Sequence, residues 1–291
     1  MILVTGASGH VGRNVVLRLT LLGHAVAALV RDAQAAQRRL PTETTLRVGD
    51  YEDVSTLKRA FAGIDELVLI SSDGDADTVM RHHANAIEAA RTADVRHITF
   101  TSIVDIGEAS PFYYAPAYRD AERRLAACGL ASTILRCGLY SDFILDTWLA
   151  PARGSGELLL PAGQGLVTPI SRDDVATAVA AAAARPDKSP TVYTITGERA
   201  LDFDEIAACY GVVAERPMRY RACSLDDYLA SASARLEDPW PRAFSSMCAS
   251  IAEGRYAATS VDFTALTGRQ PENFRDFLVR VAAGRPAEPI G

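Results

Sequence analysis

Short apolar runs alternate with amphipathic stretches through the first half of the chain. Residues 2–5, 25–30, 45–48, 66–70, 97–101 and 132–136 are rich in Val, Ile, Leu and Thr and lack clean polar alternation. That pattern predicts strands buried on both faces, as in a parallel sheet. Between them, residues 11–22, 33–40, 54–61, 78–92 and 118–128 carry helical patterns, with Gly23 and Gly129 where helix C-caps favour glycine. Strands alternating with helices of this length predict right-handed crossovers and an α/β fold, a doubly wound parallel sheet. After Tyr140 the pattern changes. Residues 154–156 and 161–165 read as loops, 173–184 as a helix and 191–196 as a strand. Helices dominate from Asp202 onward, including 224–235 and 272–282. The expected organisation is a dinucleotide-binding Rossmann domain over 1–150. A smaller, mainly helical substrate cap with returning sheet elements follows over 151–291, with a cleft between the two.

The glycines follow this scheme. Thr5-Gly6-Ala7-Ser8-Gly9-His10-Val11-Gly12 leaves the first strand and opens the first helix. It is a Gly-x-x-Gly-x-x-Gly variant of the dinucleotide fingerprint. Gly6 allows the tight turn, Gly9 lets backbone amides approach a pyrophosphate, and Gly12 permits close helix–strand packing. The helix N-terminus then offers unpaired amides to the anion. The next determinant lies at the tip of the second strand, Val30-Arg31-Asp32. Arg31 suits a ribose 2′-phosphate, which favours NADP(H) over NAD(H). Asp32 would either reach the ribose or pair with Arg31. Asp50, after the third strand, is placed to accept from an adenine amino group or to cap a turn.

Composition narrows the partners. The chain has 291 residues, 48% of them hydrophobic, and a formal net charge of −6. That length buries a core unaided, and the acidic balance argues against a nucleic-acid partner. Five cysteines with no Cys-x-x-Cys pair argue for reduced thiols in a cytoplasmic protein. The longest apolar run, 178–184, is too short for a membrane span, and no basic leader precedes the first strand. His82 and His83 are adjacent and lack the i,i+4 spacing of a helical zinc site, so no metal is expected.

Several stretches occur in one order along nearly the whole chain. They are Thr5–Gly12, Val30-Arg31-Asp32, Gly49-Asp50-Tyr51, Leu69-Ile70-Ser71-Ser72, Phe100-Thr101-Ser102, Leu135-Arg136-Cys137-Gly138, Ser171-Arg172-Asp173-Asp174-Val175-Ala176 and Thr267-Gly268-Arg269-Gln270-Pro271. In this order they resemble the NmrA-like branch of the atypical short-chain dehydrogenase/reductases, and within it the NADPH-dependent quinone oxidoreductases. The resemblance implies that Gly6, Ala7, Ser8, Gly9, His10 and Val11 surround the pyrophosphate. Arg31 would meet the ribose phosphate, and Asp50 with Tyr51 the adenine. Ser71, Ser72 and Thr101 would line the path to the nicotinamide, and Cys137, Gly138 and Leu139 would lie beside it.

The resemblance also exposes a gap. Typical short-chain reductases protonate the forming alkoxide with a Tyr helped by a Lys four residues later, on one helical face. The only lysines here are Lys58 and Lys188, so no Tyr-x-x-x-Lys exists. Tyr118 has Glu122 at the lysine position, and a carboxylate there is expected to raise the phenol pKa. Ile103 falls near the usual serine, with Ser102 one residue earlier. Ser102 and Tyr118 are the candidate catalytic residues. Tyr113, Tyr114, Tyr140, Phe143 and Trp148 are candidate walls for a flat aromatic substrate. Quinones need little enzymic acid, so reduction of a quinone or polyketide-like aromatic ketone by placement alone is the leading expectation. A non-catalytic NADP(H) sensor of the NmrA type is the alternative, and an epimerase with tightly held NAD suffers from the same missing base. A monomer or homodimer is expected.

Overall fold

The computed structural model describes residues 1–284. Seven strands form a parallel sheet: β1 (Ile2–Val4), β2 (Val26–Val30), β3 (Thr45–Val48), β4 (Glu66–Leu69), β5 (His97–Ile103), β6 (Ala131–Cys137) and, after β7 (Glu157–Leu160), β8 (Thr191–Ile195). The spatial order is β3-β2-β1-β4-β5-β6-β8, all parallel, so the doubly wound sheet read from the alternation is present. Strand order reverses between β1 and β4, and the crevice beyond their carboxyl ends is where such sheets bind ligands.

Helices cover both faces. The first is α1 (His10–Leu21), followed by α2 (Ala33–Gln37), α3 (Val54–Phe61), α4 (Ala76–Thr92) and α5 (Ala115–Ala127). Val15, Val16 and Leu19 of α1 pack against Val175, Ala176 and Val179 of the helix Arg172–Ala184 on one face. The run of alanines in that helix lets the two backbones approach closely. Phe61 of α3, Ile87 of α4, Leu125 of α5 and Phe100 of β5 fill the other face. Each fully buried side chain of this size contributes about 1.5–3 kcal/mol. Capping sets the helix starts. Asp53 accepts from the Ser55 and Thr56 amides, Asp75 from Thr78, and Ser171 from Asp174. α5 starts at Ala115, before the expected Tyr118, because Pro116 is compatible with its first turn.

A second apolar cluster gathers Trp148, Leu158, Phe203, Ile206, Tyr228, Cys248 and Phe277. It packs around a small parallel pair, β7 with β9 (Arg219–Ala222), which the apolar pattern did not reveal. The second half also returns to the main sheet through β8 and through the helix Arg172–Ala184 against α1. No helix among the described residues is long and apolar enough to cross a membrane.

Candidate functional site

The glycine loop turns sharply at Gly6, whose φ of +59° lies in the left-handed region. Gly12 sits so close to that turn that a Cβ would lie 2.2 Å from the Gly6 carbonyl oxygen. Gly9 is the N-cap of α1, with no side-chain cap and no acidic residue in the first turn. The first amides of a twelve-residue helix therefore face the cleft without a protein acceptor, as a diphosphate requires. Thr5 locks the loop to β4, donating to the Val68 carbonyl at 3.2 Å and accepting from the Ile70 amide at 2.9 Å. These features fit a dinucleotide.

The loop floors a cleft of about 600 Å³ at the carboxyl ends of the strands. Gly6, Ser8, Gly9, His10, Val11, Arg31, Asp50, Tyr51, Ser71, Ser72, Thr101, Ser102, Tyr118 and Tyr140 all line it. Arg31 also borders a recess with Ser8, Arg38 and Arg39, a strongly cationic corner. Asp32 caps α2, accepting from the Ala35 amide at 3.0 Å, and makes no ion pair with Arg31. Asp50 accepts from the Glu52 amide at 3.0 Å within its turn. The Tyr51 hydroxyl donates to the Ile70 carbonyl at 2.9 Å, and its ring stacks on His82 at 5.3 Å.

The opposite end of the cleft carries neutral hydroxyls. Burial pushes the Tyr118 phenol pKa up, and the Tyr140 phenol further still. Tyr118 is partly buried in the cleft wall. The expected cause of the Tyr118 shift needs correction. Glu122 faces away, clamped by Arg136 at 2.6 and 3.1 Å, and it also accepts from the Ser102 hydroxyl at 2.6 Å. That ion pair neutralises the carboxylate before it can act on the phenol. The same contacts commit the Ser102 hydroxyl to Glu122, leaving it no proton to offer the cleft. Neither lysine lines the cleft; Lys188 pairs with Glu66 at the far end of β4, and Lys58 is exposed on α3.

Other candidates lie outside the cleft wall. Ala7 is fully buried under the loop. Cys137 is buried, with its thiol pushed up to about 12 by burial, so it stays protonated. Gly138 donates its amide to Ile195, and Leu139 joins the second apolar cluster. The Tyr114 hydroxyl donates to the Gly74 carbonyl at 2.7 Å, and the Tyr113 hydroxyl accepts from the Ala76 amide at 3.3 Å. Both tyrosines brace the loop before α4. Trp148 is 4% exposed, donates to the Tyr228 hydroxyl at 3.2 Å and meets Phe143 edge-on. A wide helical turn over Ile144–Leu149 rotates it into that core.

Among the residues not singled out as site residues from the sequence, Arg172 and His82 line the cleft and His83 stands behind it. Arg172 stacks over the Tyr140 ring at 5.6 Å. His82 joins the cleft wall to the surface, linking Ser72 at 2.7 Å to Glu52 at 2.9 Å. His83 lies behind the wall, 2.8 Å from the Ser71 hydroxyl. Adjacent histidines one helical step apart point toward adjacent serines at the end of β4, and that doublet match was the available signal.

Comparisons with known proteins agree with this geometry. A family model described as NAD(P)H-binding matches residues 6–186. Quinone oxidoreductase 2 of Escherichia coli (strain K12) is 32% identical over 234 residues, 79% of this chain and 80% of its own length. The NAD(P)H azoreductase of Xenophilus azovorans is 30% identical over 226 residues, 78% of each chain. The crystal structure of Citrobacter sp. triphenylmethane reductase complexed with NADP(H) superposes with a TM-score of 0.89 at 27% identity, covering 97% of this chain and 100% of the other. The chain belongs to the NAD(P)H-binding family, among the NmrA-like atypical short-chain dehydrogenase/reductases.

Proposed function

We propose that the protein is an NADPH-dependent reductase of flat aromatic acceptors, with a quinone as the leading class and an aromatic ketone or azo compound as variants. One observation carries this reading. The cleft joins an open anion site and a cationic corner at one end to neutral, buried phenols with no lysine at the other. The names of the relatives, a quinone oxidoreductase and an azoreductase, support it.

The α1 amides would hold the diphosphate, and Arg31 in its recess the ribose 2′-phosphate. Bound NADPH supplies hydride. The protein's task is to exclude water and hold the acceptor ring against the cofactor, the larger part of such catalysis. Tyr118 and Tyr140 keep their protons, so they serve as hydrogen-bond donors and apolar walls. A quinone accepts hydride under these terms because its reduced oxygen is a stabilised phenolate. An aliphatic ketone yields a far more basic alkoxide and needs the acid that Ser102 and Glu122 do not provide. The five free cysteines agree with a reducing, cytoplasmic setting.

The test is NADPH oxidation followed at 340 nm with 1,4-naphthoquinone, an azo dye and an aliphatic ketone. Turnover is expected with the aromatic acceptors and none with the aliphatic ketone. Tight NADPH binding with no aromatic acceptor reduced would overturn the reading in favour of a dinucleotide sensor, for which the committed Ser102 hydroxyl speaks.

A further inference from the structure

We propose that Arg172 is a specificity-determining residue that binds an anionic substituent on the aromatic acceptor, so that the cleft takes quinones carrying a carboxylate or a sulfonate. The inference rests on the reductase reading above and narrows its substrate class.

Arg172 lines the cleft, and its guanidinium lies 5.6 Å from the centre of the Tyr140 ring. The side chain is 29% exposed, and among the described residues the guanidinium makes no hydrogen bond. Its ion-pair partner, Asp146, stands at 3.8 Å, beyond hydrogen-bond reach, and is 71% exposed, so that pair is weak. Arg136, Arg269 and Arg280, by contrast, each hydrogen-bond a carboxylate at 2.5 to 2.7 Å. Arg172 thus brings a planar fork of N–H donors to the cleft with none of them committed to the protein.

The backbone sets this placement in advance. The Ile170 amide donates to the Leu139 carbonyl at 3.1 Å, the Ser141 amide to the Ile170 carbonyl at 2.9 Å, and the Arg172 amide to the Asp142 carboxylate at 2.8 Å. The segments carrying Tyr140 and Arg172 therefore run side by side, and the two side chains share one wall. The ring attracts the cation without using any of its N–H donors. The cofactor's anions have other partners in the reductase reading, the α1 amides and the Arg31 corner. Arg172 stands instead beside a phenol that this reading gives to the acceptor. Two carboxylates also line the cleft, Asp50 in the turn after β3 and Asp73 exposed after β4, and neither pairs with Arg172. A guanidinium at the edge of an aromatic slot meets a carboxylate or sulfonate through two N–H donors at once, and partial exclusion of water strengthens the contact.

Two readouts test it. In NADPH oxidation, Arg172→Gln is expected to lower kcat/KM for 1,4-naphthoquinone-2-sulfonate roughly 10- to 100-fold more than for 1,4-naphthoquinone, mainly through KM. Arg172→Lys keeps the charge without the fork and should recover part of that preference. Equal losses with both quinones would reduce Arg172 to a wall of the cleft and overturn the proposal. Equal losses matched by a fall in NADPH affinity would assign the guanidinium to the cofactor's diphosphate, which also overturns it. The second readout needs no turnover. In calorimetric titration of the full chain loaded with NADP⁺, naphthalene-2-sulfonate is expected to bind more tightly than 2-naphthalenemethanol, and the difference should vanish in Arg172→Gln. A difference that is absent from the parent, or that survives in the variant, would overturn the proposal alone. A parent that binds NADPH and reduces neither quinone overturns the reductase reading, while the titration still decides whether Arg172 binds the anion.

Discussion

Arg269 donates to the buried Asp174 carboxylate at 2.5 Å, and the Glu272 amide donates to its other oxygen at 2.7 Å. The two sequence stretches around Asp174 and Arg269 are nearly a hundred residues apart, yet they form one clasp. It ties the segment after Thr267 to the helix that packs on α1. Beside it, Asp173 receives Asn14 of α1 at 2.6 Å and Arg280 at 3.3 Å. Asp174 is 2% exposed and Arg269 42%. Removing the arginine therefore strands a buried charge, while removing the carboxylate leaves a guanidinium that water can reach. Arg269→Met is expected to cost about 3–5 kcal/mol and Asp174→Asn about 1.5–3 kcal/mol. Urea denaturation of the two variants checks the order, and equal or inverted costs would refute it.

The Arg31 corner separates affinity from stability. Arg31→Ala is expected to weaken NADPH binding roughly 10- to 100-fold while leaving NADH binding nearly unchanged, because only the 2′-phosphate engages the guanidinium. Asp32→Ala should do the reverse. It removes the α2 cap at a cost of about 1 kcal/mol and leaves the NADPH-to-NADH ratio alone. Calorimetric titration of both variants with both cofactors decides this. A changed ratio in Asp32→Ala would mean that the carboxylate reads the ribose after all.

The parts of this protein that the sequence displays are those where chemistry is local. Strands β1, β2, β4, β5 and β6 read as apolar runs because most of their positions are buried in the parallel sheet, whereas β3, expected to be buried on both faces, is the edge strand and leaves Thr45 and Val48 exposed. The loop from Gly6 to Gly12 reads as a dinucleotide turn because its backbone demands glycine within seven residues. β7 stayed hidden because its outward positions are Glu157 and Leu159; an apolar residue on the exposed side blurs the alternation. The state of Ser102 was hidden for a different reason. β5, α5 and β6 each supply one member of the Ser102–Glu122–Arg136 set, and only the packed sheet brings them together. Trp148 shows the limit of sequence proximity. It follows the strand that ends at Cys137, yet a wide helical turn carries it away from the cleft.

The glycine loop yields a paired prediction. A Cβ on Gly12 would overlap the Gly6 carbonyl at 2.2 Å, which forces α1 away from β1. Gly12→Ala should cost about 1–3 kcal/mol or more and abolish cofactor binding. A Cβ on Gly9 meets the same oxygen at 3.3 Å, from a backbone that any residue adopts. Gly9→Ala should leave stability nearly intact while crowding the amides that would meet the diphosphate. Thermal melts with and without NADPH separate the two. Stabilisation of Gly9→Ala by NADPH equal to that of the parent would show that the diphosphate lies elsewhere.

His83 makes stability depend on pH with a defined sign. Its pKa falls from 6.5 to about 4 on folding because burial disfavours the imidazolium. Above pH 6.5 the ring is neutral in both states and costs nothing. Between pH 6.5 and 4 the unfolded chain binds a proton that the folded one refuses, so stability falls as pH falls through this window. The full effect, reached below pH 4, is on the order of 3 kcal/mol. His83→Gln removes the titration and keeps a hydrogen-bonding amide. The variant's deficit relative to the parent, measured by urea denaturation at pH 7, should therefore shrink at pH 5 and shrink further at pH 4.5. Carboxylates that titrate in the same range shift both proteins alike and cancel in the difference. A gap between parent and variant that stays constant from pH 7 to 4.5 would show that His83 takes up its proton as readily in the folded chain as in the unfolded one.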